Sequence, residues 1–141
     1  MSKTTDIELS WAAGMFEGEG SVRISRSTQT RRSELRCELS NTDEDIITIF
    51  RGRWGGSVNP VYGQEMNRKP QLRWVASGSM AFHFLSDVLP YLRTKRVKQK
   101  AKIGMAFYKN PNNPKYCEEL TRLNKKGMPI EIPTAMKGRV K

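Results

Sequence analysis

Near the start of the sequence, Trp11-Ala12-Ala13-Gly14-Met15-Phe16-Glu17-Gly18-Glu19-Gly20-Ser21 combines small residues and carboxylates in a pattern that is costly unless it is used. The run from Ile7 to Phe16 is helical in pattern, with Ile7, Trp11 and Met15 recurring every four residues, yet each glycine inside a helix costs about 1 kcal/mol relative to alanine. Gly14 and Gly18 are four residues apart and share one face with Ala13 near by, so another helix backbone could come unusually close there. Glu17 and Glu19 fall where the helix ends, although a helix C-terminus carries roughly half a negative charge and disfavours carboxylates. A positive charge must compensate them. A divalent cation does so naturally, because magnesium takes oxygen ligands and is usually bound by one or two carboxylates plus phosphate and water. Residues two apart on a helix point in different directions, so the two glutamates are expected to have different tasks. If Gly14 and Gly18 pack against the same helix of a second subunit, symmetry sets two copies of Glu19 side by side.

The composition says where the phosphate would come from. The 141 residues carry 25 Lys and Arg against 14 Asp and Glu, a formal charge of +11, and a polyanionic partner such as nucleic acid is the leading expectation. The 37% apolar content is enough for one core. No run approaches the roughly 18 apolar residues of a membrane helix, and Met1 to Asp6 lacks an apolar signal region, so a soluble intracellular protein with no membrane partner is expected. The compartment stays open between cytoplasm or nucleoid and an organelle. Cys37 and Cys117 cannot form a disulfide framework, or a zinc site with only His83 in support; they read as reduced structural residues. One histidine also rules out an HNH nuclease site, and the absence of any Glu-x-Lys triplet rules out a PD-(D/E)xK site.

The elements that would hold this chemistry follow from periodicity. A helix from about Asp6 or Ser10 to Gly18, apolar almost all round, must be buried on several sides. Ser21 to Ser27 and Leu35 to Leu39 alternate apolar and polar residues as an arginine-rich hairpin. Asn41-Thr42-Asp43 with Glu44 and Asp45 starts a helix stopped near Gly55-Gly56, and Ser57 to Tyr62 with Gln71 to Ser77 makes a second hairpin. Ser79 caps a third helix that is broken at Pro90, and a mostly basic fourth helix spans about Thr94 to Tyr108. Residues 1–109 thus read as a single domain. After the connector Asn110 to Pro114, residues 110–141 read as an extension, with Tyr116, Leu120 and Leu123 lining a short docking helix before an irregular basic tail. The order gives an α+β fold with a four-stranded antiparallel sheet and helices on one face.

The stretch Ala12 to Gly20 resembles the LAGLIDADG motif of a class of homing endonucleases, with glutamate in place of both aspartates. Leu89-Pro90-Tyr91-Leu92-Arg93-Thr94-Lys95 resembles a second stretch that family members carry after the second hairpin, and the likeness covers roughly Ile7 to Tyr108. The resemblance implies an αββαββα core with a saddle-shaped sheet. It implies a dimer interface through Gly14 and Gly18 with Trp11, Met15 and Glu17, the last in a structural role, and Glu19 as catalytic residue and metal ligand. Lys95 resembles the active-site lysine, and Asn41 falls where some members place a water-organising side chain. The implied chemistry is hydrolysis of both strands of double-stranded DNA across the minor groove at a near-palindromic site, by a homodimer. The ion would be magnesium, or manganese in its place, with calcium supporting binding rather than turnover. No small-molecule substrate is expected.

An antiparallel sheet in the major groove presents every second residue to base edges. Arg23 shares parity with Ser21 and Ser25, Arg26 breaks that pattern, Arg31 and Arg32 lie at the hairpin tip, and Arg36, Glu38 and Ser40 alternate with Leu35, Cys37 and Leu39. The second hairpin offers Asn59, Gln64, Asn67, Arg68, Lys69, Gln71 and Arg73, and also Ser77. Lys95, Arg96, Lys98, Lys100 and Lys102 suit phosphate contacts. Quieter readings stand beside these. The glycines could serve packing within one chain, Glu19 a solvated helix end, Asn41 a turn or helix cap, and the basic run a solvated face. The three tryptophans suit the core, and a non-cleaving relative acting as an intron RNA maturase or DNA-binding regulator would share the same charge.

Overall fold

The computed structural model describes residues 3–26, 32–61 and 70–125. Helix α1, Lys3–Glu19, runs without a break into strand β1, Gly20–Arg26, and β1 pairs antiparallel with β2, Ser33–Asn41. Helix α2, Glu44–Trp54, leads to β3, Ser57–Val61, which pairs with β4, Gln71–Ser77. Helix α3, Ser79–Val88, ends in a 3-10 turn, Leu89–Tyr91, where Pro90 cannot continue it, and α4 spans Lys95–Lys109. Helix α5, Pro114–Asn124, is the docking helix expected after the connector; it packs on α4 and β1 with Leu120 buried. Among the described residues the sheet order is β1-β2-β4-β3, all antiparallel. The result is the α+β, αββαββα arrangement read from the sequence, with one face of the sheet covered by helices.

The register explains how sheet and helices meet. Val22, Leu35, Cys37, Leu39, Trp74 and Ala76 share one face and are buried, while Arg23, Arg36, Glu38, Ser40 and Arg73 share the other. Beneath the buried face, Phe16, Phe50, Trp54, Trp74 and Phe84 form an aromatic cluster with edge contacts as close as 4.7 Å between the Trp54 and Phe84 ring centroids. The buried indole N–H groups are satisfied, Trp74 Nε1 donating to Gly55 O at 2.7 Å and Trp54 Nε1 to Asp87 Oδ2 at 2.9 Å. Burial pushes the Cys37 thiol pKa up, as suits an inert core cysteine.

Two local boundaries differ from the sequence expectation. Helix α1 begins earlier, at Lys3, and is buried along one side only, through Leu9, Ala12, Ala13 and Phe16; Ile7 is 69% and Trp11 38% exposed. Apolar residues all round a helix do not require burial all round within one chain. Ser79 is the first residue of α3, but its hydroxyl makes no capping bond, and Gly78 occupies the cap position at φ 59°. Tight coupling of β4 to α3 requires that left-handed turn, which glycine adopts at no steric cost.

Candidate nucleic-acid interface and active site

Two helix ends that look badly designed in isolation meet at the site. The last turn of α1 carries Glu17 and Glu19 and no basic residue, and the first turn of α4 carries Lys95 and Arg96 and no acidic one. Each opposes its own helix dipole. The structure puts them end to end. Glu17 accepts hydrogen bonds from Arg93 N at 3.0 Å, from Thr94 N at 2.6 Å and from the Thr94 hydroxyl at 2.6 Å, so a carboxylate from α1 caps α4 where the cap residue Thr94 offers no side-chain cap of its own. Partial burial opposes ionisation of Glu17, but these bonds, with the Lys98 ammonium near by, prevail and hold its pKa below the usual carboxylate value. Glu17 was expected at the dimer interface in a structural role; its carboxylate is structural within one chain.

Glu19, two residues on, is exposed and makes no hydrogen bond or ion pair among the described residues. Directly after it, Gly20 lets the helix turn into β1. A Cβ at Gly20 would sit 2.2 Å from Phe16 Cδ1, so only glycine lets the backbone pass over that ring. Lys95 is also exposed and follows Thr94, so the capping bond that anchors α4 brings Lys95 to the same end of α1 that presents Glu19. Asn41 Oδ1 accepts from Asp43 N at 2.8 Å, and Asp43 Oδ1 caps α2 through Asp45 N at 2.9 Å. Its turn-forming reading is therefore the one with a contact.

The glycine face of α1 is bare. Among the described residues a Cβ at Gly14 or at Gly18 would meet nothing within 4 Å, so packing against those residues is not the reason for either glycine. On one side of that face lies an apolar groove of about 640 Å³ lined by Ile7, Trp11, Ile49 and Gly52 among others, and on the other a cleft of about 340 Å³ lined by Ser10, Gly14, Glu17, Pro90, Tyr91 and Arg93. Met15, expected at the interface, is half-buried, with part of its side chain packed against the core.

The open face of the sheet is a grid of polar rows interrupted by Val75. Ser21, Glu38, Val75 and Ser57 line up across all four strands; Arg23, Arg36 and Ser77 form the next row on one side, and Ser40, Arg73 and Asn59 the next on the other. Arg73 Nε donates to Ser40 Oγ at 3.4 Å. Gln71, Arg73 and Ser77 share the parity of the open face. Arg26 does not: it has the parity of Val22 and Ile24 and is exposed at the strand end. Arg32 is exposed, while Arg31, Gln64, Asn67, Arg68 and Lys69, and the tail beyond residue 125, lie outside the described residues.

The basic helix α4 divides. Lys95 and Lys102 are exposed. Arg96, expected as a phosphate contact, bonds Leu123 O through Nε at 3.2 Å and through a second guanidinium nitrogen, and so holds the C-terminal end of α5. Its ability to make those bonds was not visible in the sequence because the partner is a backbone carbonyl. Lys98 is half-buried. Lys100 is also half-buried, and burial, followed by the charge of Arg96, lowers its pKa.

No helix of the described residues is long and apolar enough to cross a membrane, and none of their His, Cys, Asp and Glu residues form a cluster of three or more that could hold a metal ion. No protein-family model matches the sequence, and comparison of the sequence with curated proteins finds no match. Solved structures do. A structure of the homing endonuclease I-CvuI in complex with its target in the presence of Ca is 17% identical, with TM-score 0.68 over 92% of this chain and 90% of that one. The archaeal intron-encoded homing endonuclease I-Vdi141I complexed with DNA is 17% identical, with TM-score 0.64 over 86% and 87%. The LAGLIDADG homing endonuclease I-GzeII in complex with a DNA target is 11% identical, with TM-score 0.53 over 93% of this chain but 48% of its own. A helix that ends on an exposed acid, turns directly into a strand and shares its layer with a Pro-Tyr-Leu turn before a lysine is thus set in an architecture found in all three, and this chain has the fold of the LAGLIDADG homing endonucleases.

Proposed function

We propose that this protein is a homing endonuclease: a homodimer that makes a metal-dependent double-strand cut at a long near-palindromic DNA target, with one catalytic Glu19 per subunit. The observation that carries this is Glu19, a solvent-exposed acid, beside a glycine face, neither of which has a partner among the described residues. Similar solved structures are homing endonucleases bound to DNA, which supports the nuclease reading. I-GzeII matches over about half its length, which leaves room in that chain for a second unit of this size, and two copies of the present chain would make a pair of that extent. The apolar groove beside Trp11 and Ile7 extends the surface that a second copy would cover.

The donor set fits a hard divalent cation that is held only in part by protein. One carboxylate per chain, with no cluster of three acids among the described residues, suits an ion completed by the symmetry-related Glu19 and by DNA phosphate, the coordination magnesium favours; manganese would serve in its place, and calcium would support binding without turnover. Such an ion would supply a nucleophile at neutral pH and stabilise charge on the phosphate oxygens. Lys95 would place its ammonium near the same phosphate as the negative charge develops. Glu17 would fix α4 so that Lys95 stays in register with Glu19. The Nδ2 group of Asn41 would order water beside them, its Oδ1 being engaged in the turn. The open sheet face would lie in the major groove, and Lys98, Lys100 and Lys102 would meet the backbone.

The test is selection of bound and cleaved duplexes from a random library with magnesium, run beside Glu19→Gln at equal protein concentration. Cleavage at a near-palindromic site by the wild type only, with binding by both, is the expected result. Binding by both without cutting would overturn the nuclease assignment and leave a regulator or an intron RNA maturase.

A further inference from the structure

In the middle of the open sheet face, Arg36 and Glu38 are two residues apart on β2 and form an ion pair, Nε to Oε1 2.7 Å, with side chains 34% and 13% exposed. Two features suggest that this pair is built for a ligand. First, Arg36 lies directly opposite Arg23 on β1, and like charges facing across a strand pair destabilise it. The sequence keeps both arginines on the surface of a protein that already carries +11. Second, Arg36 Nε is out of solvent and has no directed hydrogen bond among the described residues; only the Coulombic contact with Glu38 offsets its burial. A side chain held this way has a restricted direction. Attraction to Glu38, two residues on toward Ser40, holds Arg36 Nε on that side, and Arg23, directly opposite, adds repulsion across the strand pair.

The orientation leaves a particular set of donors. Of the five N–H groups of an arginine, the one on Nε belongs to the nitrogen lying 2.7 Å from Glu38 Oε1, and the four at the end of the fork remain. Two parallel donors at the end of a guanidinium match O6 and N7 of guanine, the commonest specific arginine contact in the major groove. Glu38 by itself would suit a cytosine amino group, but its nearer oxygen is engaged with Arg36, and its cross-strand neighbours, Ser21 and Val75, supply no second cation.

We infer that Arg36 reads a guanine in each half-site and that Glu38 is a positioning residue that sets the direction of Arg36 rather than reading a base. This rests on the sheet entering the major groove as proposed above. Successive residues of one face are about 6.6 Å apart along a strand, about two base-pair steps, so the guanine is a single position flanked by bases that belong to the neighbouring rows.

The experiment is selection of bound duplexes from a randomised library in calcium, so that cleavage is not required, with wild type, Arg36→Lys and Glu38→Gln, each checked for folding by thermal melting. The wild type is expected to select one guanine per half-site. Arg36→Lys keeps the charge but not the fork, and should lower the preference for that guanine about tenfold or more. Glu38→Gln should lower the preference at the same position by about threefold to tenfold and leave every other position unchanged. If Glu38→Gln does not fold, Glu38→Asp, whose carboxylate is withdrawn, carries the same prediction. An unchanged guanine preference in a folded Glu38 variant, or a change at a different base, overturns the positioning role. A wild type that selects no guanine overturns the inference while leaving the nuclease reading standing, and a wild type that binds no duplex overturns both.

Discussion

Glu17 and Glu19 are the same residue type two positions apart, and the regions around them differ in kind. Behind Glu17 the helix ends answer one another: the α1 carboxylate caps α4, Lys98 adds its charge, and Tyr91 of the intervening turn bonds Asp6 near the start of α1. In front, Glu19, Gly14 and Gly18 face outward with no partner among the described residues. The difference shows how to read charge at a helix end. An acid at a C-terminus is a fault only until another helix start is found for it, and the acid that has none after that pairing is the one available to an external cation.

The largest effect that would sharpen this contrast is on Glu19. Glu19→Gln is expected to lower the cleavage rate about a hundredfold or more, the several kcal/mol that a metal's charge stabilisation supplies, without changing the melting temperature. A stability loss instead would mean that Glu19 has a structural partner after all. Next comes the bare glycine face. Gly14→Leu should convert a dimer to a monomer in sedimentation at micromolar protein, with loss of cleavage, while the monomer keeps or gains stability; the site has open space, and replacing a helix glycine is worth up to about 1 kcal/mol. Unfolding of that variant, or an unchanged dimer, would break the comparison.

Much of this was legible before any coordinates. The glycine spacing, the pair of acids and the alternation of Val22 and Leu35 to Leu39 fixed the fold class, because periodicity and helix-end electrostatics are local properties. The parity of Gln71, Arg73 and Ser77 on β4 emerged only from strand pairing, and the second task of Arg96 depends on a carbonyl of α5, 27 residues away. The partner of Glu17 was hidden for the same reason: the sequence shows an uncompensated carboxylate and an uncapped basic helix, but their encounter is a tertiary event. The partial burial of Met15 likewise depends on which side of α1 packs against the core.

A smaller prediction tests the inner region itself. Glu17→Gln should destabilise the protein by about 1 kcal/mol at neutral pH, the usual scale of a lost cap, measured from urea midpoints. Its pH dependence has a definite sign. Burial alone would raise the pKa of Glu17, but the bonds from Thr94 and Arg93 and the charge of Lys98 lower it below the unfolded value of about 4.3. The stabilisation is therefore fully present above that unfolded pKa and is lost as pH falls through the lower folded one. The gap between wild type and Glu17→Gln should hold steady from pH 7 down to about 5 and narrow as the pH falls below the unfolded value of about 4.3. A gap that does not narrow at all in acid, up to the point where the wild type unfolds, would mean that hydrogen-bond shape, not charge, joins the two helices, and that α1 and α4 do not cancel each other's misplaced charges. Lys95 gives the independent check, since its position depends on the same junction: if Glu17→Gln leaves DNA binding intact but lowers the cleavage rate, the cap acts on the active site through α4.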